Sequence, residues 1–150
     1  MIDIKDKKQC SGCSACANIC NQKCIKMIAD DEGFLYPKVE LDKCINCNLC
    51  EDVCPIHKKK ITLDKTTLAY AAKNKIESIH KDSSSGGIFT LLAEFVLKQG
   101  GIVFGAAFDE HFNVKHVAVE TIGDLYKLRG SKYTQSIVGH TYVEARKNLK

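Results

Sequence analysis

Residues 10–24 read CSGCSACANICNQKC, and residues 44–55 read CINCNLCEDVCP. Cys10, Cys13, Cys16 and Cys20 are separated by two, two and three residues, and Cys44, Cys47, Cys50 and Cys54 repeat that spacing. A tetrahedral ion takes four thiolates, which structural zinc usually draws from two separated C-x2-C pairs. Three cysteines at three-residue intervals exceed that need. They suit one loop wrapping three corners of an iron–sulfur cube, with Gly12 allowing the backbone to come close. The fourth cysteine follows helical spacing: Cys16 and Cys20, like Cys50 and Cys54, are four residues apart. The duplicated pattern points to two 4Fe–4S clusters, and structural zinc is the rival reading.

The rest of the composition agrees with metal rather than disulfides. The chain has 150 residues, 45% hydrophobic and 27% charged, enough for one ordinary domain or two small ones. All nine cysteines lie between Cys10 and Cys54, and the count is odd. A disulfide scaffold would spread its bridges through the fold. No apolar run suits a signal peptide or a membrane span, so the expected setting is cytoplasmic, where thiols stay reduced. The formal charge of +4 counts cysteines as neutral. Two cubes of about −2 each bring the loaded protein near zero, so the basic balance is no argument for nucleic acid. HKKK, residues 57–60, reads as a solvated linker, or less simply as a docking patch for an acidic partner.

At these cysteines the sequence resembles the bacterial two-cluster ferredoxins over roughly residues 4–64. In that family the fourth cysteine of each run binds the other cluster. The resemblance therefore implies Cys10, Cys13, Cys16 and Cys54 around one cluster, and Cys44, Cys47, Cys50 and Cys20 around the second. It also implies that metal loss unfolds both halves together. Asn21 stands where the ferredoxins have proline, as Pro55 does in the second half. Cys24 is the cysteine left over. It lies in KCIKMIA, which alternates as a strand does, and reads as a small buried hydrophobe, with a spare ligand or redox-sensitive thiol as the sharper alternative. On this reading Cys20→Ala damages the second cluster and Cys24→Ala leaves both. ADDEGFLYPKVELDKC fits a hairpin, with Phe34 and Tyr36 as candidates to shield a cluster.

Beyond residue 65 cysteine vanishes and helix and strand patterns alternate. TLAYAAK (residues 67–73) reads as a strand and KIESIHKD as a short helix. DSSSGG breaks the pattern before a helix, IFTLLAEFVLKQ, whose Ile88, Leu91, Leu92, Phe95 and Val96 keep helical spacing and whose end is marked by Gly100 and Gly101. GIVFGAAF and NVKHVAVE read as strands joined by a turn at residues 109–111. DLYKL and TYVEARKNL read as further helices. SSSGG at a helix start suits an anion, though a serine cap explains it equally well. RGSKYTQS, residues 129–136, gathers cations and hydroxyls in one loop, suited to phosphate or simply to the surface.

SSSGGIFTLLAEFVLKQGGIVFGAAF followed by LRGSKYTQS resembles the N-terminal part of the coenzyme F420 hydrogenase/dehydrogenase beta-subunit family. That resemblance implies an N-terminal ferredoxin segment followed by a flavin-binding α/β domain, with electrons passing between clusters and FAD and, in some members, on to F420. It makes Ser84, Ser85, Gly86, Gly87, Arg129, Ser131 and Lys132 flavin or phosphate candidates. Members of the family run on past this point into a stretch reading Gly-Thr-Pro-Cys-Gln, so an incomplete flavin pocket is expected here. The expected fold is α+β: a ferredoxin-like two-cluster 4Fe–4S domain over residues 1–65, then a small, incomplete α/β domain over residues 66–150. Three functions follow: electron transfer through the clusters, a flavin oxidoreductase serving F420 or a similar hydride carrier, and a structural zinc module. The expected partner is a redox protein or a missing C-terminal portion. His57, His80, His111, His116 and His140 are scattered without ligand spacing, and no P-loop, Rossmann fingerprint or nucleic-acid fold signature is present.

Overall fold

The computed structural model of the chain describes residues 1–57 and 67–149. Residues 58–60 of the HKKK run and the boundary at residue 65 lie outside them. The described residues fall into two units: residues 1–57 with Val138–Glu144, and residues 67–137 with 145–149.

The first unit is built on the duplicated cysteine loops. Each loop turns through two left-handed residues at matching positions: Gly12 (φ 65°) and Ser14 (φ 61°) in the first, Asn46 (φ 53°) and Asn48 (φ 61°) in the second. Glycine and asparagine are the residues that tolerate this conformation best. Ser14 and Asn48 then cap short helices, α1 (Ala15–Ile19) and α2 (Leu49–Asp52). Between the loops lies the expected hairpin, β1 (Ile25–Ala29) antiparallel to β2 (Leu35–Val39), with Ile25 opposite Val39 and Met27 opposite Pro37. Its turn is closed by the Asp30 carboxylate, which accepts from the amides of Glu32 (3.1 Å) and Phe34 (2.9 Å).

The core of this unit is Ile2, Cys24, Ile25 and Cys50, flanked by Ile4, Ile19, Val39 and further cysteines. A two-stranded sheet over so few apolar side chains is a weak core by itself. Thiols occupy the places that larger hydrophobes would otherwise fill, so bound metal would contribute folding free energy here.

The second unit holds α3 (Glu77–Lys81), α4 (Ile88–Lys98), β3 (Val103–Phe108) and β4 (Val114–Val119). β3 and β4 form an antiparallel hairpin whose turn is closed by Asp109, accepting from the amides of His111 and Asn113 at 2.9 Å each. A single parallel bridge joins Lys115 to Ile137. The DLYKL helix is a 3-10 helix over Ile122–Leu128, and α5 (Thr141–Asn148) is the last helix described. Ala93 and Leu97 of α4 pack with Ala107, Val119, Leu125 and Leu128, and Leu125 is fully buried.

Two expectations are corrected. Residues 67–73 form no strand and are exposed, Leu68 at 71% and Tyr70 at 83%. A strand needs a neighbour to pair with, and β3 and β4 pair with each other. The helix α4 is where the spacing placed it, but its buried face is not Ile88, Leu91, Leu92, Phe95 and Val96. Thr90, Ala93 and Leu97 are buried, whereas Leu91, Leu92 and Phe95 are 54%, 60% and 65% exposed. The narrow face lets the helix approach the hairpin, and the broad apolar face stays uncovered within this unit. No helix among the described residues is long and apolar enough to cross a membrane.

Candidate functional site

The nine thiols line two cavities in the first unit. Cys10, Cys13, Cys16 and Cys54 line one, with Ile2, Ile4, Met27, Pro37 and Ile56 among its walls. Cys20, Cys24, Cys44, Cys47 and Cys50 line the other, with Ile25 and Val39. Each half of the repeat thus sends its fourth cysteine to the other half's cavity. The hairpin register explains the walls: Ile25 and Met27 on β1, and Pro37 and Val39 on β2, share a face by the two-residue period of a strand. Tyr36 therefore lies on the opposite face, with the Lys7 ammonium 5.2 Å from its ring, and Phe34 is 46% exposed. Neither lines either thiol cavity, whose apolar walls come from Ile2, Ile4, Ile25, Met27, Pro37 and Val39 instead of these aromatics.

The cavities measure about 100 Å³ at the second set and about 20 Å³ at the first. The donor chemistry suits an iron–sulfur cube: thiols in apolar surroundings, with amides aimed at sulfur. The Ile2 amide donates to Cys50 Sγ at 3.3 Å and the Gly12 amide to Cys10 Sγ at 3.4 Å. Among the described residues no three His, Cys, Asp or Glu side chains are placed to hold a single ion.

The thiols differ electrostatically. Burial pushes Cys16 up to about 11. Burial also acts to raise Cys20, but hydrogen bonds from the Cys24 amide and thiol and from the amides of Gln22 and Lys23 outweigh it and hold Cys20 below the usual thiol value. Cys24 is pushed up to about 11 by the hydrogen bond to Cys20 and then by burial. Cys20 Sγ and Cys24 Sγ are 3.3 Å apart, and Cys24 is 2% exposed. Cys24 is buried, as expected, but among thiols.

The second unit has a separate cavity of about 400 Å³ with a serine- and glycine-rich wall, within the range of small-molecule sites. Ser84, Ser85, Gly86, Gly87, Arg129 and Ser131 all line it. Lys132 does not: its ammonium donates to the carbonyls of Arg129 (2.8 Å) and Lys127 (3.2 Å), and burial lowers its pKa. No serine caps α4. The cap is Gly87, left-handed at φ 72°, with no side-chain hydrogen bond. Two further residues lining this cavity carry a buried polar atom with no hydrogen-bond partner among the described residues: the Thr90 hydroxyl, on a residue 1% exposed, and Arg129 Nε. The Arg129 guanidinium also reaches Asp82 at 3.8 Å.

Sequence reasoning missed Thr90, hidden in an apolar helix. The helical spacing of Thr90, Ala93 and Leu97, three and four residues apart, was the signal available. It also missed Asn74, whose amide donates to Gly86 O at 2.6 Å and whose side chain donates to Gly87 O at 3.3 Å, holding the loop in shape.

Comparison with known proteins assigns the two segments separately. Residues 9–58 match the 4Fe-4S dicluster domain. Residues 69–140 match the N-terminal domain of the coenzyme F420 hydrogenase/dehydrogenase beta subunit. The chain is thus similar to a 4Fe-4S dicluster domain followed by the front part of an oxidoreductase beta subunit. Two relatives come from Methanocaldococcus jannaschii. An uncharacterized polyferredoxin-like protein is 36% identical over 55 residues, 31% of this chain and 33% of that protein. An uncharacterized ferredoxin is 29% identical over 72 residues, 48% of this chain and 92% of that protein. The match thus spans about a third of the first relative and nearly all of the second.

Proposed function

We propose that this chain relays single electrons through two 4Fe–4S clusters as the iron–sulfur part of a cytoplasmic oxidoreductase. Cys10, Cys13, Cys16 and Cys54 hold the first cluster, and Cys44, Cys47, Cys50 and Cys20 hold the second. The exchange of fourth cysteines between the two cavities carries this reading. It is the arrangement that two-cluster ferredoxins use, and zinc has no need of it. A bound 4Fe–4S cluster supplies one-electron redox chemistry. The chain's own part is to hold it by thiolates, keep water off with Ile25, Met27, Pro37 and Val39, and aim the Ile2 and Gly12 amides at sulfur. Anaerobic purification followed by a redox titration tests this: two one-electron centres per chain are expected, and a chain that takes up none contradicts it.

A second reading concerns residues 66–150 as the front of a flavin-binding domain. The unpartnered Thr90 hydroxyl and Arg129 Nε on a glycine- and serine-rich cavity favour it. Ser84, Ser85, Gly86, Gly87, Arg129 and Ser131 would receive FAD phosphates at the α4 N-terminus, where helix amides and dipole favour anions. Lys132 would act only through the Arg129 carbonyl it holds. FAD bound there would exchange hydride with F420 or a similar carrier, and the uncovered face of α4 would meet a partner subunit or a further domain. Fluorescence titration with FAD tests it: Thr90→Val and Arg129→Gln should weaken binding, and binding unaffected by both sinks this reading while leaving the clusters untouched.

A further inference from the structure

The second cavity holds one thiol more than a 4Fe–4S cluster uses. Resting on the cluster assignment above, we propose that Cys24 is a reserve ligand of the second cluster, able to take the iron held by Cys20. The two sulfurs are 3.3 Å apart, so an iron bound to one lies near the other. Cys24 already lines the cavity with Cys44, Cys47 and Cys50. Its backbone is fixed in place, because its carbonyl accepts the Glu40 amide at 2.8 Å at the head of the hairpin.

The segment between the two thiols favours exchange. Asn21 and Gln22 form a turn, and Lys23 is left-handed at φ 50°, a conformation costly for a lysine. No proline locks the exit from Cys20, whereas Pro55 follows Cys54 at once. Cys20 can therefore swing away more easily than Cys54. The first cavity has no fifth thiol, so the reserve is confined to one cluster.

The exchange is a ligand substitution with no change in oxidation state. The iron–sulfur bond to Cys20 breaks and one to Cys24 forms. The proton leaving the Cys24 thiol is taken up by the freed Cys20 thiolate. As a consequence, Cys20→Ala, which the cysteine spacing marks as damaging, becomes the milder lesion, and Cys54→Ala the severe one.

The test compares anaerobically purified variants of the full chain by iron and sulfide content and by EPR of the reduced protein. Cys20→Ala is expected to keep about eight irons with an altered second-cluster signal, whereas Cys54→Ala and the double variant Cys20→Ala/Cys24→Ala keep about four. A fall to about four in Cys20→Ala alone overturns the proposal, as does its failure to accumulate where Cys54→Ala accumulates. If neither accumulates, Cys24→Ala decides through an iron chelator: one cluster should be lost several-fold faster than in the unaltered chain, and equal or slower loss overturns the proposal. An unaltered chain far below about eight irons defeats the cluster assignment itself and is read before any variant.

Discussion

The backbone amide of Ile2 donates a 3.3 Å hydrogen bond to the sulfur of Cys50. It links the start of the chain to the second cysteine loop within the buried core. A reduced cluster carries more negative charge on its sulfurs, so a donor aimed at one favours reduction. Ile2→Pro removes the donor and should lower the potential of the second cluster, while Ile2→Val keeps it. EPR-monitored redox titration measures both. An unchanged potential in Ile2→Pro, at full iron content, contradicts the role given to this amide.

Crossed ligation has a signature in double variants. Cys13→Ala and Cys54→Ala each remove the same cluster, so combining them should still leave about four irons. Cys47→Ala with Cys54→Ala strikes both clusters and should leave almost none. If each run of four cysteines held its own cluster, Cys13→Ala/Cys54→Ala would lose everything and Cys47→Ala/Cys54→Ala would keep about four.

Glu40 joins the hairpin to the second loop. Its carboxylate pairs with Lys26 and, at 2.5 Å, with Lys43. Those two hydrogen-bonded cations hold it down to about 2, from an ordinary 4.5. A depressed carboxyl stabilises the fold above its unfolded value, and that contribution fades as pH falls from about 4.5 through about 2. Both lysines are exposed, so the effect is small. At neutral pH, above that window and where the clusters are intact, urea unfolding of the loaded protein should show Glu40→Gln slightly less stable than the unaltered chain, and the loss should vanish when Lys26→Ala and Lys43→Ala are already present. An equal loss in both backgrounds contradicts the pairing.

Gly86 has no room for a side chain: a Cβ there would stand 2.2 Å from the Ala72 carbonyl oxygen. Gly86→Ala should destabilise the second unit by about 1–3 kcal/mol. Gly123→Ala, whose nearest neighbour would be Thr121 Oγ1 at 3.8 Å, should stay within about 0.5 kcal/mol. Thermal melting separates the two, and equal midpoints contradict the close approach of residues 72 and 86.

The cysteine runs were legible because a cube's corners dictate ligand spacing, and spacing is written directly in sequence. The two hairpins were legible for a related reason, since alternation and an Asp-led turn are local signals. What escaped depends on distant packing. Hydrophobic spacing located α4 but chose the wrong face: Thr90, Ala93 and Leu97 form one helical row that is buried, Ala93 and Leu97 against the hairpin, while Leu91, Leu92 and Phe95 lie off that row and stay exposed. Cys24 read as a filler because alternation marks a buried strand position, and nothing in the pattern shows that the turn at Asn21 and Gln22 folds it back onto Cys20, four residues earlier. TLAYAAK has strand propensity without a partner. Lys132 matched the phosphate-loop pattern, yet the loop turns its ammonium onto its own carbonyls.

Anaerobic analysis of iron, acid-labile sulfide and zinc on one purified sample tests the central claim most directly. About eight irons and eight sulfides per chain are predicted, the content of two cubes. About one or two zincs with no sulfide would contradict it and return the cysteines to a structural role.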